Sequence, residues 1–273
     1  MMVNKFKNIN IINYIIMRVI TYSLWCQEKP MDDKDYQTGD MYCNGAIRNL
    51  EIQRDEGIYE DWRMRFYINE SVPERVKSKI VELGGELVDM TGSKIPGMFW
   101  RFLAFDDPKV GYFIARDVDS RINRREESAV LDWIRSNKYL HVMRDHPHHH
   151  YKILGGMWGY RNDLQRYSVT NKIHRFLGQY DYKFKRMDDM RFLDSVYDYF
   201  FHQKQVKEHD GFFKMPGDSV PFPDIGEDTS GYYPFVGEIY DAFDNRPNYE
   251  RNSRLLVDYK TSMSRHWCSR YFI

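Results

Sequence analysis

Between residues 19 and 134 the sequence alternates between two hydrophobic periodicities, and this alternation constrains the fold more than any other feature. Val19–Trp25, Trp62–Ile68 and Val110–Ala115 carry the continuous or alternating apolar residues that are typical of strands. The segments between and after them place apolar residues three and four positions apart, as helices do. Strands that alternate with helices indicate an α/β fold with a mostly parallel sheet.

Two of these helices have recognisable start signals. Ser71 is a candidate N-cap residue with Pro73 in the first turn, and Asn123 with Glu126 forms a capping box. The second half of the chain is less regular, and we predict the following elements there: a strand at Leu140–Met143, a glycine-rich turn at Leu154–Gly159, and helices at Ile173–Leu177 and Phe192–Phe200.

The composition excludes several classes of protein. The 273 residues include 40 basic and 40 acidic side chains, and 42% of the residues are hydrophobic. Disorder requires low hydrophobicity and a high net charge, and a nucleic-acid-binding protein usually carries a basic excess, so we expect neither. Three cysteines are too few for a disulfide scaffold. The aromatic content of 16% exceeds what a core requires, and it suits carbohydrate or nucleotide clefts.

The apolar run Ile11–Ile20 is shorter than the roughly 20 residues of a membrane span and is interrupted by Asn13 and Arg18. No small-residue cleavage site follows it. We therefore expect a cytoplasmic protein without an integral membrane segment. The strand pattern that begins near Met17 suggests three parts: an N-terminal appendage at 1–16, one folded domain at 17–245, and a tail of unknown role at 246–273.

Asp117 and Asp119 directly follow the strand pattern Val110–Ala115. Ligands of α/β sheets bind outside the carboxyl ends of the strands, so both carboxylates are expected at the mouth of a cleft. Carboxylate oxygens are the ligands that Mg²⁺ and Mn²⁺ prefer, and neighbouring arginines, here Arg116 and Arg121, suit phosphate. The spacing alone is weak evidence, because Asp33-Lys34-Asp35 repeats it in a polar loop.

Other candidate residues have both a functional and a structural interpretation. His209 is either a third metal ligand or an ordinary turn residue, and Trp158 is either a core residue or a stacking platform between glycines. The tandem histidines His146 and His148–His150 indicate a solvated loop at the rim of the cleft more than a zinc site. Asp189 lies at a helix start, where carboxylates complement the helix dipole. The sequence contains no dinucleotide-binding glycine motif, P-loop or nucleophile elbow.

Several longer runs resemble a group of glycosyltransferases of the GT-A fold that is found in bacteria, phages and large DNA viruses. The runs are Met98–Ala104, Phe113–Arg121, Arg125–Ile134, His141–Pro147 and Ile153–Gly159, and a looser likeness extends from Val19 to about Tyr240, including Phe235–Glu238. The resemblance implies a GT-A-like fold with a Rossmann-like, mostly parallel sheet. It also implies a UDP- or GDP-linked sugar as donor, a carbohydrate or glycoconjugate acceptor, and Mn²⁺ or Mg²⁺ held by Asp117, Asp119 and His209.

The same resemblance implies roles for further residues. The nucleotide is expected near the end of the first strand, and the expected contacts to the nucleotide-sugar are Ser23, Leu24, Trp25, Arg101, Arg116, Arg121, Gly155, Gly156 and Trp158. The expected catalytic carboxylate is Asp189, followed by Asp145 and His146. An inverting enzyme needs a general base near the acceptor hydroxyl and a retaining enzyme does not, and the sequence does not distinguish them.

Two other classes of function remain open on sequence grounds. Haloacid-dehalogenase-like phosphatases also carry two aspartates in this spacing after an apolar strand, with a later acidic pair that Asp188 and Asp189 resemble. Their motif normally ends the first strand of the domain, whereas several elements precede Asp117 here. The third class is a protein that binds carbohydrate or nucleotide-sugar without turnover. The oligomeric state is not indicated.

Overall fold

The computed structural model describes residues 17–25, 40–162, 167–178, 185, 187–213, 219–223 and 235–246. Its strands are β1 Met17–Leu24, β2 Arg63–Ile68, β3 Glu86–Asp89, β4 Val110–Arg116, β5 Leu140–Arg144, β6 Met157–Arg161, β7 Val206–Asp210 and β8 Ser219–Val220. Its helices are α1 Asp40–Glu56, α2 Glu74–Glu82, α3 Arg124–Ser136, α4 Val169–Gly178 and α5 Asp188–His202, with a 3₁₀ helix at Gly97–Asp106.

The strands form one sheet in the order β3-β2-β1-β4-β6-β5-β7-β8. Strand β6 is antiparallel to both of its neighbours, and the other pairs are parallel. The predicted α/β architecture with a mostly parallel central sheet flanked by helices is confirmed. Because parallel strands end at the same edge, the carboxyl ends of β1, β4, β5 and β7 meet there.

Both faces of the sheet are covered, because side chains alternate along each strand. On β1, Val19 packs into the core under the 3₁₀ helix, α4 and α5, while its neighbour Ile20 packs into the core under α1, α2 and α3. Trp158 lies in the first core with its ring centroid 5.3 Å from that of Phe102 and 5.0 Å from that of Phe113. Many of the aromatic residues that suggested a ligand cleft are therefore core residues.

Two strands differ from the sequence prediction. The predicted turn Leu154–Gly159 ends at Gly156, and β6 begins at Met157. The segment around His209, interpreted as a turn or ligand loop, is strand β7. Its polar residues are tolerated inside the protein because each has a partner: Glu208 pairs with Arg144, and His209 contacts His141.

Of the two predicted helix N-caps, one is present in the structure and the other is not. Asn123 caps α3 as predicted, its side chain accepting a hydrogen bond of 2.9 Å from the Glu126 N–H. Glu126 does not return a bond to the cap, because its carboxylate pairs with Arg116. Ser71 does not cap α2, whose N-cap is Pro73. Cys43 is buried. The predicted appendage at 1–16 and the tail after Arg246 lie outside the described residues. Among the helices described, none combines the length and apolarity that crossing a membrane requires.

Candidate active site

Asp117 and Asp119 lie in a tight turn that leaves the carboxyl end of β4. The turn is closed at Ser120, whose N–H and hydroxyl both donate to the Asp117 carbonyl oxygen, at 3.2 and 2.8 Å. The side chain of Asp117 is 51% exposed and Asp119 is half-buried. Burial, together with the negative charge of Asp117, raises the pKa of Asp119 to about 7. The two carboxylates are therefore close enough to repel each other.

Arg101 of the 3₁₀ helix joins this turn to α5. Its guanidinium donates to Asp117 Oδ1 through Nη1 and to Asp189 Oδ2 through Nη2, the latter at 3.1 Å. Its own backbone N–H donates to the Ser23 hydroxyl at the end of β1, at 2.9 Å. Burial lowers the pKa of Arg101, but the charges of Asp117 and Asp189 outweigh this effect and raise it overall. Arg101 thus fixes the relative positions of three elements.

Asp189 faces the same group from the first turn of α5. Burial raises the pKa of its carboxyl, and the positive charge of Arg101 opposes that rise. Within the described residues, the guanidinium Nε of Arg101 is buried and has no hydrogen-bond partner. A buried donor without a partner is costly, so this atom suits a ligand oxygen or a water molecule.

Gly155 and Gly156 lie against these side chains. A Cβ atom at Gly155 would lie 2.4 Å from Asp189 Oδ2, and one at Gly156 would lie 2.1 Å from Asp117 Oδ2. A Cβ at Gly156 would also lie 2.7 Å from the Asp117 backbone nitrogen, so this position requires glycine for space, whereas a Cβ at Gly155 would displace the side-chain ends of Asp189 and Arg101. The structure therefore brings together five of the predicted residues, namely Arg101, Asp117, Asp189, Gly155 and Gly156, with Asp119 and Ser23 beside them.

The end of β1 borders the group through the hydrogen bond between Ser23 and Arg101. Leu24 is a buried core residue, so its side chain is not available to a ligand. Trp25 is half-buried, and its ring packs edge-on against Trp100 with the centroids 5.9 Å apart. A Cβ at Gly97 would lie 2.7 Å from the Trp25 ring, so this ring is held close to the start of the 3₁₀ helix.

Besides Leu24, three predicted contacts to the nucleotide-sugar are wrong. Arg116 points to the other side of the sheet, where it is 1% exposed and pairs with Glu126. Arg121 is buried against Asp244, with Nε 2.8 Å from Oδ1. Trp158 is fully buried in the core and offers no stacking surface. Successive side chains of a strand point to opposite faces of the sheet, and this alternation points Arg116 and Trp158 into the protein interior.

His209 is not a third ligand beside Asp117 and Asp119. Its Nδ1 lies 2.8 Å from His141 Nε2 and its Nε2 lies 3.2 Å from Asp132 Oδ2, so both ring nitrogens have partners. Burial lowers the pKa of His209 to about 4, and the ring is therefore neutral. In the part of the chain that is described, no group of three His, Cys, Asp or Glu side chains is arranged to hold a metal ion.

Asp145 and His146 also lie apart from the cluster as packed residues. The Asp145 carboxylate is 1% exposed and accepts two hydrogen bonds from Arg125, at 2.7 and 2.8 Å. His146 is 3% exposed and stacks on Phe235 with the ring centroids 4.5 Å apart. Neither side chain is placed to act on a ligand in the cleft.

The sequence interpretation missed the contact between the Asp117–Asp119 turn and a distant segment. The Tyr240 N–H donates to the Asp119 carbonyl oxygen at 2.9 Å, and Ser120 forms an antiparallel bridge with Ile239. Residues 235–246 have no periodicity that would predict this pairing. The nearest signal was Phe235–Glu238, which falls within the resemblance quoted above.

Comparison with known proteins gives structural similarity only. No family model and no curated protein sequence matches the chain. The galactosyltransferase LgtC in complex with donor and acceptor sugar analogs shares 12% identity, with a TM-score of 0.45 over 89% of this chain and 96% of that one. The 4-diphosphocytidyl-2C-methyl-D-erythritol synthase from Anaerococcus prevotii shares 12% identity, with a TM-score of 0.43 over 73% and 88%. At these values, no conclusion about the chemistry of this chain rests on either similarity.

Proposed function

We propose that this protein is a metal-dependent glycosyltransferase that moves a sugar from a nucleotide-sugar donor to an acceptor hydroxyl. The observation that carries the proposal is the charge of the group at the carboxyl end of β4. One guanidinium, Arg101, faces three carboxylates there, those of Asp117, Asp119 and Asp189. The excess negative charge beside an exposed Asp117 suits a divalent cation, and the sequence runs that resemble GT-A glycosyltransferases include this turn.

Asp117 and Asp119 are the residues that would hold the cation. Mg²⁺ is commonly bound through one or two carboxylates, with substrate phosphates and water as its other ligands, so a third protein ligand is not required. Burial is the main cause of the raised pKa of Asp119 and the charge of Asp117 is the second, and a cation between the two carboxylates would offset both effects. Mn²⁺ or Mg²⁺ bound there would neutralise charge on the diphosphate as it leaves.

Arg101 and Asp189 would act on the remaining parts of the donor. The unpartnered Nε of Arg101 is a donor for a diphosphate or sugar oxygen, and it is held in place by the two carboxylates on its other nitrogens. Asp189 is our candidate for the carboxylate that faces the donor sugar or the acceptor hydroxyl. Its raised pKa suits a proton acceptor, which an inverting reaction requires.

The nucleotide would lie over the end of β1. The Ser23 hydroxyl is already committed to the Arg101 backbone N–H, so Ser23 orders the site and Trp25 offers the partly exposed ring. We propose a carbohydrate or glycoconjugate as acceptor and no nucleic acid among the partners. The fold offers little support for a haloacid-dehalogenase-like phosphatase, since Arg101 separates Asp117 from Asp189 and these aspartates do not converge on one cation.

The test is release of nucleoside diphosphate from a panel of UDP- and GDP-sugars, with Mn²⁺ or with EDTA. We expect release that requires Mn²⁺ and falls at least about 100-fold in Asp119→Asn, because the leaving diphosphate loses its neutralising cation. Asp61→Asn is the matched control, since Asp61 is exposed on the turn before β2.

Three other outcomes would contradict the proposal. Phosphate release from simple esters without nucleotide-sugar turnover would favour the phosphatase. Pyrophosphate release from a nucleoside triphosphate and a sugar 1-phosphate would indicate nucleotidyl transfer. Binding of nucleotide-sugars without turnover, with a carbohydrate acceptor panel present, would indicate a binding protein.

A further inference from the structure

A cavity lies between α1, the residues before α3 and the 235–246 segment. Its volume is about 670 Å³, which is within the usual range for sites that bind small molecules. Three contacts fix the 235–246 segment over it: Val236 N–H donates to Asp145, Tyr240 N–H to the Asp119 carbonyl, and Asn44 Nδ2 to the Ala242 carbonyl, each at 2.9 to 3.0 Å. Arg101, Asp117 and Asp189 are not among its lining residues, so the cavity is distinct from the group of side chains described above.

The charges that line the cavity are balanced, unlike those of the cleft. Arg48 and Arg121 share the Asp244 carboxylate, at 3.0 and 2.8 Å. Arg246 lies 3.7 Å from Glu238. With Glu56, the described lining residues supply three guanidiniums and three carboxylates. A site of this kind does not select an anion or a cation, because an added charge would lack a counter-charge and would compete with an existing pair.

The remaining lining residues suit a polyhydroxylated ligand. Asn123 already accepts from the Glu126 N–H and Asn245 Nδ2 already donates to Asp241, and the remaining donor and acceptor capacity of these two amides suits the hydroxyl groups of a sugar. Tyr240 is held between two cations, with its ring centroid 4.9 Å from the Arg121 guanidinium and 5.7 Å from that of Arg246. Phe235 and the isoleucines at 52 and 122 add apolar surface for the carbon face of a ring.

We infer that this cavity binds a neutral carbohydrate, as part of the acceptor glycan of the transfer proposed above. The acceptor assignment rests on the proposed function, whereas the binding of a neutral carbohydrate does not. Position supports the acceptor assignment, since Tyr240 lines the cavity and also holds the backbone of Asp119. Arg121 and Asn123 of the lining follow Asp119 by two and four residues in the chain.

The direct test is binding of neutral mono- and oligosaccharides, with inorganic phosphate as the charged probe, measured by saturation-transfer NMR and calorimetry on the full chain. We expect a neutral oligosaccharide to bind and phosphate not to bind. Arg48→Ala and Arg246→Ala each remove charged hydrogen-bond donors from the lining, so the dissociation constant should rise at least about tenfold. Arg54→Ala is the matched control: the residue lies on the same helix outside the cavity, is paired with Asp55 and should leave binding unchanged.

Three results would overturn the inference: no binding by any neutral sugar of the panel, binding that Arg48→Ala and Arg246→Ala leave intact, or binding of phosphate in place of sugars. A kinetic readout separates this inference from the function on which it rests. If nucleotide release is observed, the acceptor KM should rise about tenfold in both variants and not in Arg54→Ala. If no nucleotide-sugar is turned over but sugar binding is lost in both variants, the carbohydrate site stands and its acceptor role fails with the proposed function.

Discussion

Two polar groups, one at the carboxyl edge of the sheet and one between the sheet and α3, use similar side chains in opposite ways. The open group, Arg101 with Asp117, Asp119 and Asp189, has three carboxylates for one guanidinium and exposes half of Asp117. The buried group under α3 consists of the pairs Arg116–Glu126 and Lys207–Asp132 together with the two histidines His141 and His209.

In the buried group the charges cancel. Arg116 pairs with Glu126, each with its side chain 2% exposed, and burial lowers the pKa of both histidines, so the rings are neutral. A row of polar residues is therefore not a sign of chemistry by itself. The difference that points to a ligand is uncompensated charge next to solvent, and the two groups can be tested separately.

The largest effect on stability is expected in the buried group. Glu126→Gln leaves the Arg116 guanidinium buried without a counter-charge, so the free energy of unfolding should fall by about 3–5 kcal/mol. Chemical denaturation measures this change. Glu82→Gln removes a carboxylate that is 65% exposed and paired with Lys79, so it should cost under about 1 kcal/mol. Equal effects of the two substitutions would remove the distinction between buried and open charges.

The largest effect on activity short of removing a carboxylate is expected at Gly156. A methyl group there displaces Asp117, because its Cβ would lie 2.1 Å from Oδ2. A shift of about 1 Å in a catalytic group costs about 100-fold in rate, so nucleotide release should fall by that factor. Gly178→Ala is the control, since a Cβ at that position meets no atom within 4 Å. Full activity of Gly156→Ala would show that the position of Asp117 is not critical.

The pH dependence of the free energy of unfolding should also distinguish the open group, which contains Asp119, from the buried group. The pKa of Asp119 is raised to about 7 in the folded protein, from 3.8 without its surroundings, so the folded state binds this proton more tightly than the unfolded chain. The stability that this proton contributes is complete below pH 3.8 and is lost as the pH rises through about 7. Without divalent cations, the wild type should lose stability relative to Asp119→Asn as the pH rises from 5 to 8. A constant difference between the two proteins would contradict the raised pKa.

The smallest effect is expected at the exposed end of the buried group. Asp132 is 42% exposed, lies 2.7 Å from Lys207 and accepts from His209. Asp132→Asn keeps an acceptor for His209 and loses an ion pair whose carboxylate is 42% exposed and whose Lys207 side chain is 17% exposed. The free energy of unfolding, measured by thermal denaturation, should therefore fall by only about 1 kcal/mol. Nucleotide release should be unchanged, and a large loss of activity would indicate that the buried group takes part in the reaction.

The sequence was sufficient for the fold wherever a segment buries apolar residues with a regular period. Strands β1, β2 and β4 and the capped start of α3 follow from such patterns. Strand β6 was missed because two glycines precede it, and strand β7 was missed because it ends in the polar residues Glu-His-Asp. The polar residues of β7 can lie in a buried strand because Arg144 and His141 of β5 pair with them. Pairing between distant strands cannot be predicted from periodicity.

The same distinction, between local pattern and distant contacts, applies to the residues of the site. Asp117 and Asp119 could be predicted because they follow a strand whose end must reach the carboxyl edge. Arg116, one residue earlier, was misassigned because alternation places it on the opposite face, under α3. The role of Arg101 as the link between Asp117 and Asp189 depends on contacts across 16 and 88 residues of sequence, which only the folded chain reveals.

The most direct test of the contrast between the groups is calorimetric titration of the protein with Mn²⁺ in the presence of UDP or GDP. We predict one bound cation, an affinity at least about tenfold weaker in Asp117→Asn and in Asp119→Asn, and an unchanged affinity in His209→Gln. Unchanged Mn²⁺ binding in Asp119→Asn, or its loss in His209→Gln, would contradict the assignment of the cation to the open group.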